Sequence, residues 1–320
     1  MKAILKSVSR SFYLTISFLP RPLREPVSLA YLLARATDTI ADTAAVPGAI
    51  RLTTLHDFAR VIAGELDFNA VAAALQDFAA QQSDPQERTL IENLHECIDW
   101  LAKLDPADRD DIRCVLKTIV TGQELDLQRF GDPAVIASLS TAAELEEYTY
   151  LVAGCVGDFW TKLGFRHIGT FASRRPEEMT KLGIEYGKGL QLINVLRDRG
   201  ADAAAGRGYL PAEELETAPV AQVFANWLAK AEEEITAGID YCLALTNWRV
   251  RFATALPALI GARTIALLRA AGVGVGVGVG ETKIKVPRKE VRRILAAGAL
   301  ASLSPVALRA LFQRLLAPPR

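Results

Sequence analysis

Apolar residues recur at intervals of three and four along most of this chain of 320 residues. That spacing is typical of amphipathic helices, and alternating strand patterns bounded by turns are scarce. The sequence therefore predicts an all-α protein. No break between the predicted helices is long enough to be an interdomain linker, so we expect one domain, 1–320. The breaks are rich in Pro, Gly, Ser and Asp and fall at 20–26, 47–48, 83–85, 105–106, 131–133, 174–176 and 206–211.

The segment GVGVGVGVG, residues 272–280, interrupts the helical pattern. Glycine at every second position cannot sustain a helix. A dinucleotide-binding fingerprint would need glycine at a position where this repeat has valine. We therefore expect a flexible loop over 272–282. The basic residues after it, Lys283 and Lys285, either begin a solvated helix or are carried toward an anion by a glycine-hinged flap.

A polar stripe interrupts the apolar surface of one predicted helix, SLAYLLARATDTIADT. Tyr31, Arg35, Asp38 and Asp42 lie at spacings 0, 4, 7 and 11, which places them within an arc of about 60°. Leucine, alanine and isoleucine occupy much of the remaining surface. Because those apolar residues also need burial, we expect the stripe to point inward rather than toward water.

The helix YGKGLQLINVLRDRGAD repeats the arrangement. Gln191, Asn194, Asp198 and Asp202 lie at spacings 0, 3, 7 and 11, within an arc of about 80°. About four acidic pairs at this spacing are expected by chance in such a chain, so neither pair alone indicates a site. Two such pairs on apolar helices do, because buried carboxylates need a cation to balance their charge.

Two kinds of cation fit this requirement. Arg35 and Arg197 lie close in sequence to the acids and could be purely structural partners. Alternatively, carboxylates without histidine or thiolate favour Mg²⁺ or Mn²⁺ over zinc. Mg²⁺ takes few protein ligands and keeps positions for water and phosphate oxygens, so the second interpretation predicts a diphosphate site with an apolar cavity for a hydrocarbon tail.

The composition restricts the partners. Lys plus Arg and Asp plus Glu number 37 each, so no net field favours nucleic acid. The separated Cys97, Cys114, Cys155 and Cys242 predict buried, reduced thiols. No signal peptide is visible, and the apolar run 256–272 is too short and too charged to span a membrane. We expect a cytoplasmic protein without a protein partner, in peripheral contact at most with the inner membrane face during product release.

Ordered motifs across nearly the whole chain resemble the squalene/phytoene synthase family. They read SRSFYL, YLLARATDTIAD, YTYLVAGCVG, QLINVLRDRGAD and GRGYLP. The resemblance implies the isoprenoid synthase fold, a single helical bundle around a central cavity. LARATDTIADT and VAGCVG are similar to squalene synthases in particular, and without the C-terminal anchor of eukaryotic forms we expect the bacterial type.

The resemblance also assigns roles to residues. Tyr148, which opens the Tyr-x-x-x-Val-Ala-Gly motif, is implied as proton acceptor or cation-stabilising group, although an aromatic core residue would show the same pattern. Ala153, Gly154 and Gly157 would leave room for prenyl chains or allow close helix packing. The implied catalytic and metal-binding residues are Asp38, Asp42, Asp198 and Asp202, with Asn194 as a further metal ligand. The implied substrate contacts are Ser9, Ser11, Phe12, Tyr31, Arg35, Gln191, Asn194 and Arg197.

The implied reaction is the head-to-head (1'-1) condensation of two farnesyl diphosphates through presqualene diphosphate to squalene, with Mg²⁺-assisted loss of diphosphate and reduction by NADPH. No sequence feature identifies an NADPH site, and the interior of DRGAD holds fewer acids than is common in the family. A synthase of phytoene, dehydrosqualene or presqualene diphosphate would need no reduction. A noncatalytic helical scaffold or lipid-binding protein is the alternative of another class, and a head-to-tail prenyl synthase would have a first motif richer in aspartate.

Overall fold

The computed structural model describes residues 2–9, 11–130, 137–272 and 284–318, with side chains from residue 4 to 8 and from 15 onward in those ranges. The described chain is almost entirely helical, which confirms the predicted all-α class. It divides into two compact units, Met1–Asp132 and Pro133–Arg320. The single domain over residues 1–320 stays a prediction. Beyond Gly272, the loop expected at 272–282 lies outside the described residues, as does Lys283.

The first unit consists of helices, four of which begin at predicted breaks, at Arg21, Gly48, Pro85 and Pro106, whereas the starts at Asn69 and Leu94 were not predicted. Asp84 caps one of them by accepting a hydrogen bond from the backbone of Gln86, and Pro85 and Pro106 occupy first positions, where a missing N–H costs little. The helices are α1 (Lys2–Ser9), α2 (Ser11–Phe18), α3 (Arg21–Asp42), α4 (Gly48–Ala63), α5 (Asn69–Gln81), α6 (Pro85–Glu92), α7 (Leu94–Lys103) and α8 (Pro106–Phe130).

The break predicted over residues 20–26 is wrong for most of its length. Helix α3 begins at Arg21 and continues through Pro26. Pro22 lies in the first turn, where no intrahelical N–H bond is lost, and Pro26 removes only the bond to the carbonyl of residue 22. Burial of Leu29, Leu32 and neighbouring apolar residues, each contributing about 1.5–3 kcal/mol, outweighs that loss.

The second unit is built on long helices with one very short strand pair. Strands β1 (Ala137–Ser138) and β2 (Arg207–Gly208) pair in parallel. The remaining elements are α9 (Ala142–Thr149), a π-helical segment (Tyr150–Gly154), α10 (Cys155–His167), α11 (Pro176–Ala204), α12 (Ala212–Thr217), α13 (Val220–Ala244), α14 (Trp248–Ala271), α15 (Arg288–Ala301) and α16 (Pro305–Leu316).

Helix α11 is the centre of the second unit. It packs against α13 on one side and against α10 and the π-helical segment on another. Helix α14 is long and apolar enough to cross a membrane, but 78% of its most apolar stretch is buried in the protein. Its packing against α13, α15 and α16 identifies it as a core helix of this unit.

The cysteines agree with the sequence prediction at three of four positions. All four are free thiols, and Cys97, Cys155 and Cys242 are buried. Burial raises the pKa of Cys97 to about 12, so this thiol is inert as a nucleophile at neutral pH. Cys114 was expected to be buried and is exposed, because it lies on the solvent side of α8 next to the buried Val115.

Candidate active-site residues of helices α3 and α11

The polar stripe of α3 lies beside a fully buried apolar face. Leu29, Leu32, Leu33, Ala36 and Ile40 have no solvent exposure. Tyr31, Arg35 and Asp38, on the stripe, are only partly buried. The apolar face fixes the helix in the core of the first unit and thereby fixes the direction of the stripe.

Arg35 joins two acids of the first unit. Its Nη1 donates to Asp38 Oδ2 at 3.0 Å, and its Nη2 pairs with Glu87 of α6. Glu87 was not predicted as a site residue. It lies 52 residues further along the chain, so no helical periodicity could relate it to Arg35. The arginine thus holds the start of the acidic pair to a neighbouring helix.

The carboxyl group of Asp38 is destabilised as an anion. Burial and the negative charge of Asp42, one turn away, raise its pKa from 3.8 to about 7, against the opposing effect of Arg35. Its side chain is nevertheless 46% exposed, so the carboxyl is recessed but accessible to an ion from solution. A divalent cation at this position would lower the pKa of Asp38 and stabilise its charged form.

The other residues predicted for the site in the first unit lie at the two ends of the stripe and in the N-terminal motif. Asp42 was expected to point inward but is exposed, because it is the last residue of α3 and the chain turns away after it. The hydroxyl of Tyr31 donates to the carbonyl oxygen of Val8 at 3.3 Å and so ties α1 to α3. Ser9, Ser11 and Phe12 lie outside the residues whose side chains the structure describes.

The polar stripe of α11 is also partly buried, between buried apolar residues such as Leu192 and Val195. The charge of Asp198 is balanced by its neighbour in sequence. Arg197 donates from Nε to Asp198 Oδ1 at 3.0 Å and from Nη2 to Oδ2 at 2.6 Å. Such a two-point pair is among the stronger charge-assisted contacts. Arg35 and Arg197 therefore both pair with acids, and that pairing is common to the structural and the substrate-binding interpretations.

A chain of polar contacts leads from α11 to Tyr148. Asn194 Nδ2 donates to Gln191 Oε1 at 3.4 Å, and Gln191 Nε2 donates to the hydroxyl oxygen of Tyr148 at 3.3 Å. The ring of Tyr148 stacks on that of Tyr209, with centroids 4.9 Å apart and planes inclined by 27°. Tyr148 is therefore no simple core aromatic: its oxygen meets the amide of the acidic helix and its ring faces a second aromatic ring.

Tyr209 was not singled out in the sequence, although it lies in the quoted GRGYLP motif. It follows β2 directly, and the pairing of Ser138 with Gly208 fixes the backbone beside it. A Cβ at Gly208 would lie 2.3 Å from Ser138 Oγ, so a larger residue here would force the serine side chain to move. The place of Tyr209 in the GRGYLP motif was the signal in the sequence that could have identified it.

The small residues after Tyr148 serve close packing. A Cβ at Gly157 would lie 1.9 Å from the carbonyl oxygen of Gly183, and one at Gly187 would lie 2.3 Å from that of Ala153. At Gly154 the nearest atoms would be the Lys188 side chain at 3.0 Å. Of the two interpretations left open by the sequence, the contacts favour helix packing over room for prenyl chains.

The acids and the amide of the two polar stripes are the expected ligands of Mg²⁺. In the part of the chain that the structure describes, no three His, Cys, Asp or Glu side chains form a metal-binding cluster. Each stripe instead supplies a pair of carboxylates, and Asn194 adds an amide oxygen. This all-oxygen set fits Mg²⁺, which is commonly bound through one or two protein carboxylates while water and phosphate oxygens complete its octahedron.

Comparison with known proteins identifies the family to which this chain is similar. Residues 5–290 match the squalene/phytoene synthase family. The bifunctional lycopene cyclase/phytoene synthase of Phaeosphaeria nodorum is 29% identical over 215 residues, which cover 66% of this chain and 34% of that protein. The squalene synthase BSS of Botryococcus braunii is 28% identical over 198 residues, which cover 61% of this chain and 38% of that protein.

The solved complex of TcSQS with the ligand E5700 superimposes with a TM-score of 0.72 at 21% identity, covering 98% of this chain and 88% of that one. The chain thus belongs to the squalene/phytoene synthase family and has the isoprenoid synthase fold that the sequence predicted. It spans about a third of the length of the two curated relatives named above.

Proposed function

We propose that this protein joins two farnesyl diphosphates head to head, through presqualene diphosphate, to make squalene, as a prenyltransferase of the bacterial squalene synthase type. Membership of the squalene/phytoene synthase family supports the class of reaction. The observation that carries the proposal is the hydrogen-bonded connection from Asn194 through Gln191 to Tyr148, which joins the acidic helix to an aromatic hydroxyl.

The acids have the role of holding the leaving groups. Bound Mg²⁺ would withdraw charge from a diphosphate as its bond to the allylic carbon breaks. Asp38 and Asp42 on α3, and Asp198 and Asp202 with Asn194 on α11, are the proposed ligands. Arg35 and Arg197 already present guanidinium groups beside these acids and would exchange part of that pairing for phosphate oxygens.

Tyr148 has the role of controlling the cation and its proton. In the first condensation an allylic carbon–oxygen bond breaks, diphosphate departs, and carbon–carbon bonds to the second substrate close a cyclopropane ring with loss of one proton. The hydroxyl of Tyr148 accepts that proton while passing its own to the departing diphosphate, or it stabilises the cation by its dipole. The stacked ring of Tyr209 offers a π face to the same cation.

The reductive second step is supported by fewer observations than the condensation. Squalene requires a hydride, which NADPH would supply, and no described residue is assigned to bind a nicotinamide. The motifs LARATDTIADT and VAGCVG support squalene as product, whereas relatives named for phytoene and for squalene synthesis match the chain almost equally well. A synthase that ends at presqualene diphosphate, dehydrosqualene or phytoene is therefore the second candidate.

Product analysis separates these candidates. Purified protein is incubated with farnesyl diphosphate and Mg²⁺, with and without NADPH, and with geranylgeranyl diphosphate in parallel. We expect squalene only when NADPH is present and presqualene diphosphate when it is absent. An identical product with and without NADPH would exclude the reductive step, and turnover of the longer substrate alone would assign the protein to the phytoene-forming branch.

A further inference from the structure

The turn between α15 and α16 carries three large aliphatic side chains that are strongly exposed. Leu300 is 72% exposed, Leu303 61% and Val306 79%, more than any other large apolar side chain in the described residues. Three such side chains within seven residues of one another form a single apolar patch rather than isolated surface residues. A patch of this kind on a folded element indicates a binding surface.

The exposure does not come from a loosely held end of the chain. Ile294, Leu308 and Phe312 bury the inner faces of the two helices. Arg251 of α14 donates from Nη1 to the carbonyl oxygen of Ser302 at 2.9 Å, and Ser304 caps α16 at the backbone N–H of Ala307. The turn is therefore held in place from both sides, with its aliphatic side chains directed to solvent.

A row of cations continues the apolar patch along α15. Lys289, Arg293 and Leu300 lie at spacings 0, 4 and 11, within an arc of about 40° on the helix, and Arg292 lies about 60° to one side. All four are exposed. We call these residues, with Leu303 and Val306, the C-terminal face. Its cations lie about 10–16 Å along the helix from Leu300 at its aliphatic end.

The charge of this region is strongly one-sided although the whole chain is neutral. Residues 284–318 contain seven Lys and Arg side chains and a single acid, Glu290. Glu290 is paired with Arg263 of α14 at 2.6 Å, so it does not neutralise the row. No acid of the described chain forms an ion pair with Lys289, Arg292 or Arg293. The neutral chain has no net field for anions, but this region presents a local positive one.

We propose that the C-terminal face docks on the surface of an anionic phospholipid bilayer, with the cations over the headgroups and Leu300, Leu303 and Val306 inserted at the acyl boundary. Cationic side chains beside aliphatic ones are the combination that interfacial helices use, because each alone binds a membrane weakly. A second copy of this chain is a poorer occupant, since a two-fold symmetric contact through this face would cover its cations with a surface that contains no acid to pair with them. The proposal does not depend on the reaction proposed above, and most of the face lies beyond the residues 5–290 that match the family.

Vesicle co-sedimentation tests the proposal on the full chain. The probes are vesicles of phosphatidylcholine alone and of phosphatidylcholine with about 30% phosphatidylglycerol. We expect at least tenfold tighter partitioning onto the anionic vesicles, with the difference lost at high salt because exposed charges are screened. Equal partitioning onto both kinds of vesicle, or none, would overturn the proposal.

Two triple variants test the two parts of the face. K289E/R292E/R293E and L300S/L303S/V306S should each lower partitioning at least tenfold. The matched controls, K103E/K117E/K181E and I50S/L215S/V220S, change exposed residues elsewhere and should leave partitioning unchanged. All variants should keep the circular dichroism spectrum of the wild type and its turnover of farnesyl diphosphate without vesicles. Loss of partitioning in the controls, or its retention in the face variants, would contradict the assignment.

Sedimentation equilibrium distinguishes the other occupant. The wild type without lipid should have the same mass as L300S/L303S/V306S. A dimer that this variant converts to a monomer would show that a second copy covers the face, and the membrane proposal would fall.

Discussion

Helices α3 and α11 carry the same Asp-x-x-x-Asp spacing in different surroundings. On α3, burial and the charge of Asp42 work against the ionised form of Asp38, and Arg35 divides its guanidinium between Asp38 and Glu87. On α11, Arg197 donates from Nε and from Nη2 to the two carboxylate oxygens of Asp198. The spacing of the acids thus identifies the helix face, while the partner of the nearest arginine decides how much of their charge remains to attract a metal ion.

The largest effect is expected from removing the first acid of each pair. Asp38→Asn and Asp198→Asn should each lower kcat by about 100- to 1000-fold with the fold intact. Each replacement removes a carboxylate that would hold the Mg²⁺ stabilising the leaving diphosphate. Steady-state assays with Mg²⁺ measure this, with Asp110→Asn as a control whose side chain is 70% exposed. Activity that survives both replacements would show that these aspartates do not hold the catalytic metal ions.

Helix α11, unlike α3, contains glycines at which a neighbouring helix approaches its backbone closely. Gly157→Ala should destabilise the protein by about 3 kcal/mol, since the new methyl group would collide with the backbone of Gly183 and push α10 away from α11. Gly169→Ala, where nothing lies within 4 Å, is the matched control and should be nearly neutral. Chemical denaturation gives both values, and equal stability of the two variants would contradict the close packing.

Replacing Tyr148 and Tyr209 in turn distinguishes the contribution of the Tyr148 hydroxyl to turnover from that of the stacked rings. Tyr148→Phe keeps the stack but removes the acceptor of the Gln191 bond, and should lower kcat by about 10- to 100-fold with little change in KM. Tyr209→Phe keeps its ring and should have a much smaller effect. Comparable losses in the two variants would mean that packing, and not the Tyr148 hydroxyl, supports turnover.

The smallest effect concerns the pH dependence of α3. Asp38 has its pKa raised to about 7 in the folded protein, so the metal-free fold binds more protons than the unfolded chain between about pH 4 and 7. The stabilisation is present below about pH 4 and is lost as the pH rises through about 7. Its size should not exceed about 1–2 kcal/mol, because a side chain that is 46% exposed is partly screened by solvent.

Thermal unfolding of the metal-free protein measures this contribution. Asp38→Asn should gain stability relative to the wild type between pH 5 and 7.5, and Asp110→Asn should not. Added Mg²⁺ should reduce the difference by stabilising the charged form of Asp38 in the wild type. A wild type whose stability relative to Asp38→Asn rises over this range would show that Arg35 outweighs the repulsion from Asp42.

The sequence predicted those features of the fold and site that depend on helical periodicity. The faces of α3 and α11 followed from the spacing of Tyr31 to Asp42 and of Gln191 to Asp202, because buried leucines fix the rotation of each helix. The exposure of Asp42 depended on where α3 ends, which periodicity does not define. Glu87 and Tyr209 reach the site residues through tertiary packing, and no local pattern relates them to Arg35 or Tyr148.

The π-helical segment has a consequence for which residues of this stretch can face α11. Tyr148 and Gly157 are nine residues apart, and both contact that helix, through Gln191 and Gly183. In an uninterrupted α-helix nine residues turn through about 900°, which would place the two on opposite sides. The one extra residue held in the π turn reduces the offset to about 80°. Deleting that one residue within Tyr150–Gly154 would leave a regular helix with Tyr148 and Gly157 eight residues apart, again at an offset of about 80°. Inserting a residue would instead turn the two about 100° further apart, so this stretch should tolerate a one-residue deletion better than a one-residue insertion.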